Sequence, residues 1–247
     1  MGTRAELRRH DIFLRKLLSH SLLSDEDQDA IAALPHSYRH LEPNEYILRE
    51  GDRSDTCPIL WSGFAYRQKA TEEGGRQIVA LKIPGDPMDF QSMYVRTTDH
   101  NLQALTAVDL IVFALSDFER LIHTRPAIAR AVIVDILIEA SIGREWLLNM
   151  GRRNALARLA HLLCELHYRL LDTRTDGLDV SDVPMTQEQL ADLLGLTPVH
   201  INRTLKELER RGAIARNGRR VRIGNLAQLR ALADFTDTYL HRHNHAG

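Results

Sequence analysis

The stretch MTQEQLADLLGLTPVHINRTLKEL, residues 185–208, decides how the carboxyl half of this 247-residue chain folds. Thr186 followed three residues later by Gln189 has the Ser/Thr-x-x-Gln form, in which each side chain satisfies the other's backbone N–H at a helix start. Leu190, Leu193 and Leu194 give that helix an apolar face, and Gly195 supplies a tight turn. Thr197-Pro198 then reads as an N-cap followed by proline at the first helical position. In the second helix, expected over 198–211, Ile201, Leu205 and Leu208 form one inward stripe. Its other face carries His200, Asn202, Arg203, Lys206 and Arg210, and Gly212 ends it. Two short helices joined by a glycine-containing turn make a helix-turn-helix.

Just beyond, Ala213–Arg216, Asn217-Gly218 and Arg219–Ile223 read as a hairpin with a strong two-residue turn signal, a wing decorated by Arg216, Arg219, Arg220 and Arg222. Residues 197–223 hold eight Lys/Arg against two Glu, a local +6 in a chain whose formal charge is −1. Cationic charge concentrated on one small module, in register with caps and turns, is the footprint of a binder of double-stranded DNA. Side chains in the first turns of a recognition helix reach base edges, so Val199, His200, Asn202 and Arg203 are the expected base readers. Arg203 can engage guanine O6 and N7 together, and Val199 offers an apolar contact to a thymine methyl. Thr186, Thr197, Lys206, Arg216, Arg219 and Arg220 are assigned to phosphates, which fix position rather than sequence.

Upstream the pattern changes three times. Leu7, Phe13, Leu17, Leu18 and Leu22 form a helical stripe, with a second helix starting at Ser24-Asp25-Glu26. From about Tyr38 to Leu115, short apolar stretches alternate with turns such as Glu50-Gly51-Asp52, Ser62-Gly63 and Pro84-Gly85-Asp86, which predicts a β-roll or barrel. Ser116 is the expected cap of a short helix through Ile122. Ala127–Met150 contains no proline and reads as a helix of roughly 36 Å. Ile128, Val132, Ile136, Trp146 and Met150 form one apolar face, and Ala131, Val134, Ile138, Ile142 and Leu148 another. Two faces need two partners: the β domain and a twin helix, for which Ile128, Val132, Ile138, Ile142 and Trp146 are the expected contacts. Gly151-Arg152-Arg153-Asn154 breaks the pattern and is the expected pivot, with Asn154 capping a helix over Ala155–Leu171. The arginines there either touch phosphates or solvate the break. The expected division is 1–125, helices and sensory roll; 126–150, dimerisation helix; 151–247, DNA-binding module.

Composition narrows the function classes. Apolar residues are 44% and charged residues 26%, ordinary globular usage. Two cysteines, Cys57 and Cys164, exclude a disulfide framework, a four-cysteine zinc site and a four-cysteine iron–sulfur cluster. The longest apolar candidate, Leu102–Leu115, is broken by Asp109, and the amino terminus lacks a signal-like core, so a cytoplasmic protein without membrane contact is expected. No cofactor is certain. A metal-dependent barrel enzyme would need closely spaced His-x-His in the strands, and none occurs in 38–115. A nucleophile elbow and a phosphate-cradling loop are missing from the sequence too. An enzyme is therefore not expected. A sensor acting on a protein partner is the alternative, opposed by the +6 module. His241, His243 and His245 read as a polar tail, Cys164 as core, and Cys57 as a packed thiol with a redox role as its alternative.

The residues 185–208 with the Asn217-Gly218 wing resemble the cyclic-AMP receptor protein/fumarate-nitrate regulator (CRP/FNR) family. The turn glycines of the strand region and the long helix before a break fit the same resemblance, which spans about residues 10–240. It implies an α+β fold: a cyclic-nucleotide-binding-like β-roll of double-stranded jelly-roll type, a dimerisation helix and a winged helix-turn-helix. It also implies a homodimer on a palindromic operator, gated by a small-molecule effector, with RNA polymerase as a partner if the protein activates. Cyclic-AMP-binding members carry a Gly-Glu pair where Asp89-Phe90 stand here. Their phosphate-gripping Arg-Ser pair falls at Thr98-Asp99 or, counted forwards, at His100-Asn101. An anionic phosphate without a cation and facing Asp99 is disfavoured, so cyclic AMP in that mode is not expected. Trp61, Phe64, Asp89, Phe90, Asp99 and His100 are the expected pocket residues. His36, His40 and His100 leave a haem ligand open, each with a surface or packed role as its alternative. Many members carry Glu where Val199 stands, so base preference there should differ.

Overall fold

The computed structural model describes residues 12–173, 185–217 and 220–242. The chain forms two compact units. One takes the chain up to Gln68 and Leu81–Glu139, the other Lys69–Ala80 and Ala140–Leu240.

In the first unit, a helix seen over residues 12–18 (α1) precedes α2 (Asp25–Ala32), whose N-cap Ser24 accepts from the Asp27 N–H at 3.2 Å. Seven strands follow: β1 (His36–Leu41), β2 (Tyr46–Leu48), β3 (Thr56–Ser62), β4 (Ala65–Ala70), β5 (Arg76–Lys82), β6 (Asn101–Ala104) and β7 (Val108–Ala114). They form a three-stranded sheet ordered β1-β7-β3 and a four-stranded sheet ordered β2-β6-β4-β5. This is the β-roll expected from the short strands and turns.

Strand periodicity makes two cores of it. Val108 and Leu110 of β7 face Leu41, Leu60, Met88 and Leu102 in the roll interior. Ile111 and Phe113 belong to an outer core with Phe13, Leu17, Phe118, Ile128 and Val132. Gly63, at φ +81°, makes the β3–β4 turn, where a Cβ would stand 2.1 Å from the Ala107 carbonyl oxygen. Only glycine fits there.

Two helices follow the roll, α3 (Leu115–Thr124) and α4 (Pro126–Arg152). Ser116 is not the cap of α3. The helix begins one residue earlier, because the Leu115 N–H is satisfied by the Asp55 carbonyl at 2.8 Å. The α4 helix runs past both expected ends. Its contacts correct the twin-helix assignment: Ile128, Val132 and Ile138 are buried within the chain itself, and Ile142 and Trp146 are half-buried. The exposed apolar residues of α4 are Ile133, Ile136, Leu137, Leu147 and Leu148. Both sets have helical spacing, and only the packing of this chain tells them apart.

The second unit holds the end of α4, then α5 (Ala155–Thr173), α6 (Gln187–Leu194), α7 (Pro198–Arg210), β8 (Ile214–Asn217), β9 (Arg220–Ile223) and α8 (Leu226–Ala233). Asn154 Oδ1 accepts from the Ala157 N–H at 3.0 Å, the capping role expected of it. Leu159, Leu163, Leu190, Leu194, Ile201, Leu205, Leu208 and Leu229 form the interior. Hairpin 69–80 joins this unit through Arg76, whose Nε donates to Asp192 at 2.7 Å, and Gln77, whose amide donates to the Leu193 carbonyl at 3.1 Å. His161 is buried between Asn149 and Tyr239, and burial with the nearby Arg153 pushes its pKa down to about 3, so it is neutral at ordinary pH. Both cysteines are buried, and burial pushes both thiols up, Cys164 to about 12, which favours the packed-thiol reading of Cys57.

Candidate nucleic-acid interface

The two helices of the 185–208 stretch are capped as their sequence dictates. Thr186 Oγ1 accepts from the Gln189 N–H at 3.2 Å while Gln189 Oε1 accepts from the Thr186 N–H at 2.9 Å. Gly195 closes α6 in the left-handed region at φ +60°. Thr197 Oγ1 accepts from the His200 N–H at 3.3 Å, with Pro198 next to it opening α7. Ile201, Thr204, Leu205 and Leu208 are buried, which turns the opposite face of α7 outward.

That face is ordered by charge. Arg210 and Arg211 both donate to Glu207, at 2.6–2.8 Å, and hold its carboxyl at about 2. Arg216 stands 4.0 Å from Glu209. Arg203 and Lys206 form no ion pair with any described residue, and both are exposed. Of the helix cations they are the ones left for an outside anion. Val199 is 78% exposed, a large apolar side chain held in water. Asn202 is half-buried and its Oδ1 has no hydrogen-bond partner. At spacings i, i+3, i+4 and i+7, residues 199, 202, 203 and 206 form one stripe.

Gln187, Pro198, Val199, Asn202, Arg203 and Lys206 line a shallow open concavity along this stripe. Sequence reading missed Gln187. Its position directly after the Thr186 cap, on the helix end that meets the start of α7, was the available signal. His200 lies beside the stripe with its Nδ1 3.2 Å from Thr197 Oγ1. Strands β8 and β9 pair from Ile214↔Ile223 to Asn217↔Arg220, which builds the wing. Arg219 lies outside the described residues, as do the side chain of Arg220 and His243 and His245 of the tail.

Inside the roll the expected pocket residues separate. Phe90 stacks on Phe118 at 5.4 Å and, with Trp61 packed alongside, belongs to the outer aromatic core. Phe64 is buried, and Asp99 is exposed. His100 Nδ1 lies 2.8 Å from Asp99, whose carboxyl the His100 and Gln91 hydrogen bonds hold at about 2. Asp89 and His100 are nearly fully buried, and Asp89 Oδ1 and His100 Nε2 have no hydrogen-bond partner among the described residues. Burial, followed by the charge of Arg67, lowers the His100 pKa. His36 and His40 lie exposed on β1.

Two further residues of the roll and one of α4 were not anticipated. Arg67 and Lys82 both donate to Glu139 Oε1, at 2.7 and 2.9 Å. Burial opposes ionisation of Glu139, yet Lys82 and Arg67 outweigh it and hold the carboxyl at about 2. Arg67 at mid-strand in β4 and Lys82 closing β5 after the apolar run 78–81 were the signal. Their partner lies 72 and 57 positions away.

The comparisons agree with this geometry. Residues 157–232 match the family model of a Crp-like helix-turn-helix domain and residues 38–125 that of a cyclic nucleotide-binding domain. The nitrogen fixation regulation protein FixK of Bradyrhizobium diazoefficiens is 33% identical over 71% of this chain and 73% of its own length. The transcriptional activator protein FnrL of Cereibacter sphaeroides is 29% identical over 78% of this chain and 79% of its own. The structure of FixK2 from Bradyrhizobium japonicum superposes with a TM-score of 0.73 at 24% identity, covering 81% of this chain and 98% of that one. With the reading helix, the wing and the β-roll in one chain, this protein belongs to the CRP/FNR family of DNA-binding transcription regulators.

Proposed function

We propose that two copies of the chain bind a two-fold symmetric operator, each placing α7 in a major groove, with centres about 34–36 Å apart along the duplex. Arg203 reads a guanine, Asn202 and His200 read neighbouring edges, and Val199 packs on a thymine methyl. Thr186, Thr197, Lys206 and the wing arginines Arg216, Arg219 and Arg220 hold phosphates. The observation that carries the proposal is the stripe 199–202–203–206, in which an exposed valine stands together with an amide oxygen and two cations that have no partner among the described residues.

The twin contact is the exposed row Ile133, Ile136, Leu137, Leu147 and Leu148 of α4. Residues 133, 137, 140, 144 and 147 alternate steps of four and three, the spacing of a coiled-coil seam. The roll gates binding in response to a small effector, and the protein acts in the cytoplasm, meeting RNA polymerase where it activates.

The roll's interior does not suit a cyclic phosphate. Residues 98–101 supply no arginine, Asp89 places a buried carboxylate nearby, and Glu139 already engages Arg67 and Lys82. A neutral effector with a donor for Asp89 Oδ1 suits it better.

The test begins by selecting duplexes from a random pool with the purified protein. Recovery of a palindrome carrying a guanine in each half-site, bound at one dimer per duplex, supports the proposal. Recovery of unrelated sequences at every salt concentration refutes it.

A further inference from the structure

At the carboxyl end of α4 the chain breaks and α5 begins, and one side chain spans the break. Helix ends leave their last carbonyls without partners inside the helix. Arg158, near the start of α5, donates Nη2–H to the Met150 carbonyl at 2.8 Å and Nε–H to the Arg153 carbonyl at 2.9 Å, both at the end of α4. Its Nη1–H goes to the carbonyl of Leu194, the last residue of α6, at 2.9 Å. One guanidinium therefore ties together the ends of two helices, the long helix and the first helix of the reading motif. Its planar fork makes the arrangement directional, since the three donors point along fixed vectors that an ammonium cannot reproduce. A second contact lies at the same place. The terminal methyl of Met150 stands 2.3 Å from where a Cβ on Gly195 would be, so the end of α4 also packs on the turn between α6 and α7.

We propose that Arg158 is a positioning residue that sets the angle of the reading helix on the end of α4, and through it the spacing of operator half-sites the dimer accepts. The inference rests on the reading that α4 pairs two copies. The guanidinium of Arg158 hydrogen-bonds to the carbonyls of Met150, Arg153 and Leu194 and, among the described residues, to none of the α7 stripe or the wing, so it acts through α6 and not on bases. The expected pivot at residues 151–154 is bridged by this clamp, so the reading helix is carried as one piece with the end of α4.

The two half-sites act as linked binding events. Simultaneous engagement adds about 10²–10⁴-fold to affinity and is forfeited where geometry forbids it. The experiment uses the full chain with duplexes bearing the selected palindrome, the same half-sites moved apart or together by one and two base pairs, and a lone half-site. Affinities are read by fluorescence anisotropy. Wild type is expected to favour one spacing by roughly tenfold or more over its neighbours, within the range set by that linkage. Arg158→Gln is expected to bind the lone half-site within about threefold of wild type while its spacing preference falls below about threefold. Arg158→Lys keeps a cation and is expected to lose the preference as well, because one ammonium cannot meet three carbonyls. Thermal melts by circular dichroism accompany both variants, and a general loss of folding would weaken lone half-site and palindrome alike.

Retention of the wild-type spacing preference by folded Arg158→Lys overturns the proposal, and so does a parallel loss on every duplex by a variant whose melt matches wild type. If wild type itself binds palindrome and lone half-site equally, the dimer reading fails instead.

Discussion

Glu139→Gln removes a carboxylate that two cations share, and its consequence has a definite sign. Lys82 Nζ and Arg67 Nη1 lie 2.9 and 2.7 Å from the same oxygen, with side chains 4% and 18% exposed. Removing one partner of a buried pair typically costs about 3–5 kcal/mol, because the other charge stays behind. Glu139 itself is 34% exposed, so water screens part of this, and about 2 kcal/mol is the expected loss. The lowered carboxyl, held by the same two cations, gives a second figure. A carboxyl held at about 2 instead of its ordinary 4.5 stabilises the fold by about 3 kcal/mol unscreened, or about 1–2 kcal/mol after discounting for exposure.

Because the folded value lies below the ordinary one, that stability is present above pH 4.5 and disappears as pH falls towards 2. The assay is urea unfolding followed by Trp61 fluorescence, with Trp146→Phe in both backgrounds so that the signal comes from the roll. Glu139→Gln should unfold at lower urea at pH 7 and converge on its parent as pH drops through that window. Adding Lys82→Met to Glu139→Gln should recover roughly half of the loss, since a single cation then remains where two faced each other. A double variant less stable than Glu139→Gln alone would refute the reasoning, as would a difference from the parent that does not change with pH.

Arg203→Ala should weaken operator binding by about 1–3 kcal/mol and relax preference at one base pair per half-site, read by anisotropy on single-base variants of the operator. Lys206→Ala should weaken all duplexes evenly and lower the slope of log K against log salt by about 1; swapped behaviour would reverse the two roles. Leu137→Asp with Leu147→Asp, both exposed in the single chain, should give a folded monomer in sedimentation that binds one half-site; an unchanged dimer would place the seam elsewhere. Gly63→Ala should cost at least ~2 kcal/mol in the same urea assay, because φ is +81° and the new methyl meets the Ala107 carbonyl.

The reading module was legible in sequence because its determinants are local. A capping box, a Thr-Pro helix start and a glycine turn each act over four residues or fewer, and the structure forms all three. The β-roll was legible for a related reason, since its turns fall on glycines whose backbone conformation few other residues adopt. The free face of α4 was not legible. Ile128 and Leu137 are equally apolar, and the difference arises because Phe13, Phe113 and Phe118 cover one and leave the other open. The same tertiary packing drew Phe90 and Trp61 into the aromatic core, although strand-end aromatics look alike in sequence whether they line a cavity or fill a core. Ser116 failed as a cap for a similar reason: α3 already begins at Leu115, whose N–H is met by the distant Asp55 carbonyl, so Ser116 lies inside the helix.

The two ends of the protein differ in what they do with cations, and that difference carries their functions. In α7 Glu207 is taken by Arg210 and Arg211 and Glu209 faces Arg216, which leaves Arg203 and Lys206 without an ion pair among the described residues, beside a valine that gains nothing from water. An unpaired exposed cation is cheap to keep and strengthens in contact with a polyanion, as the release of counterions from DNA requires. In the roll the cations Arg67 and Lys82 are shielded from solvent and could not stand alone, so Glu139 neutralises them from the helix side. A ligand entering there meets charge that is already satisfied. On the proposed reading of the roll as an effector pocket, recognition would fall to the Asp89 oxygen and the His100 nitrogen, buried atoms without a hydrogen-bond partner among the described residues. An anionic effector would first have to displace Glu139, whereas the operator displaces only water and salt. The reading module is thus legible in the sequence as a charge excess, while the internally balanced charges of the roll leave no such imprint.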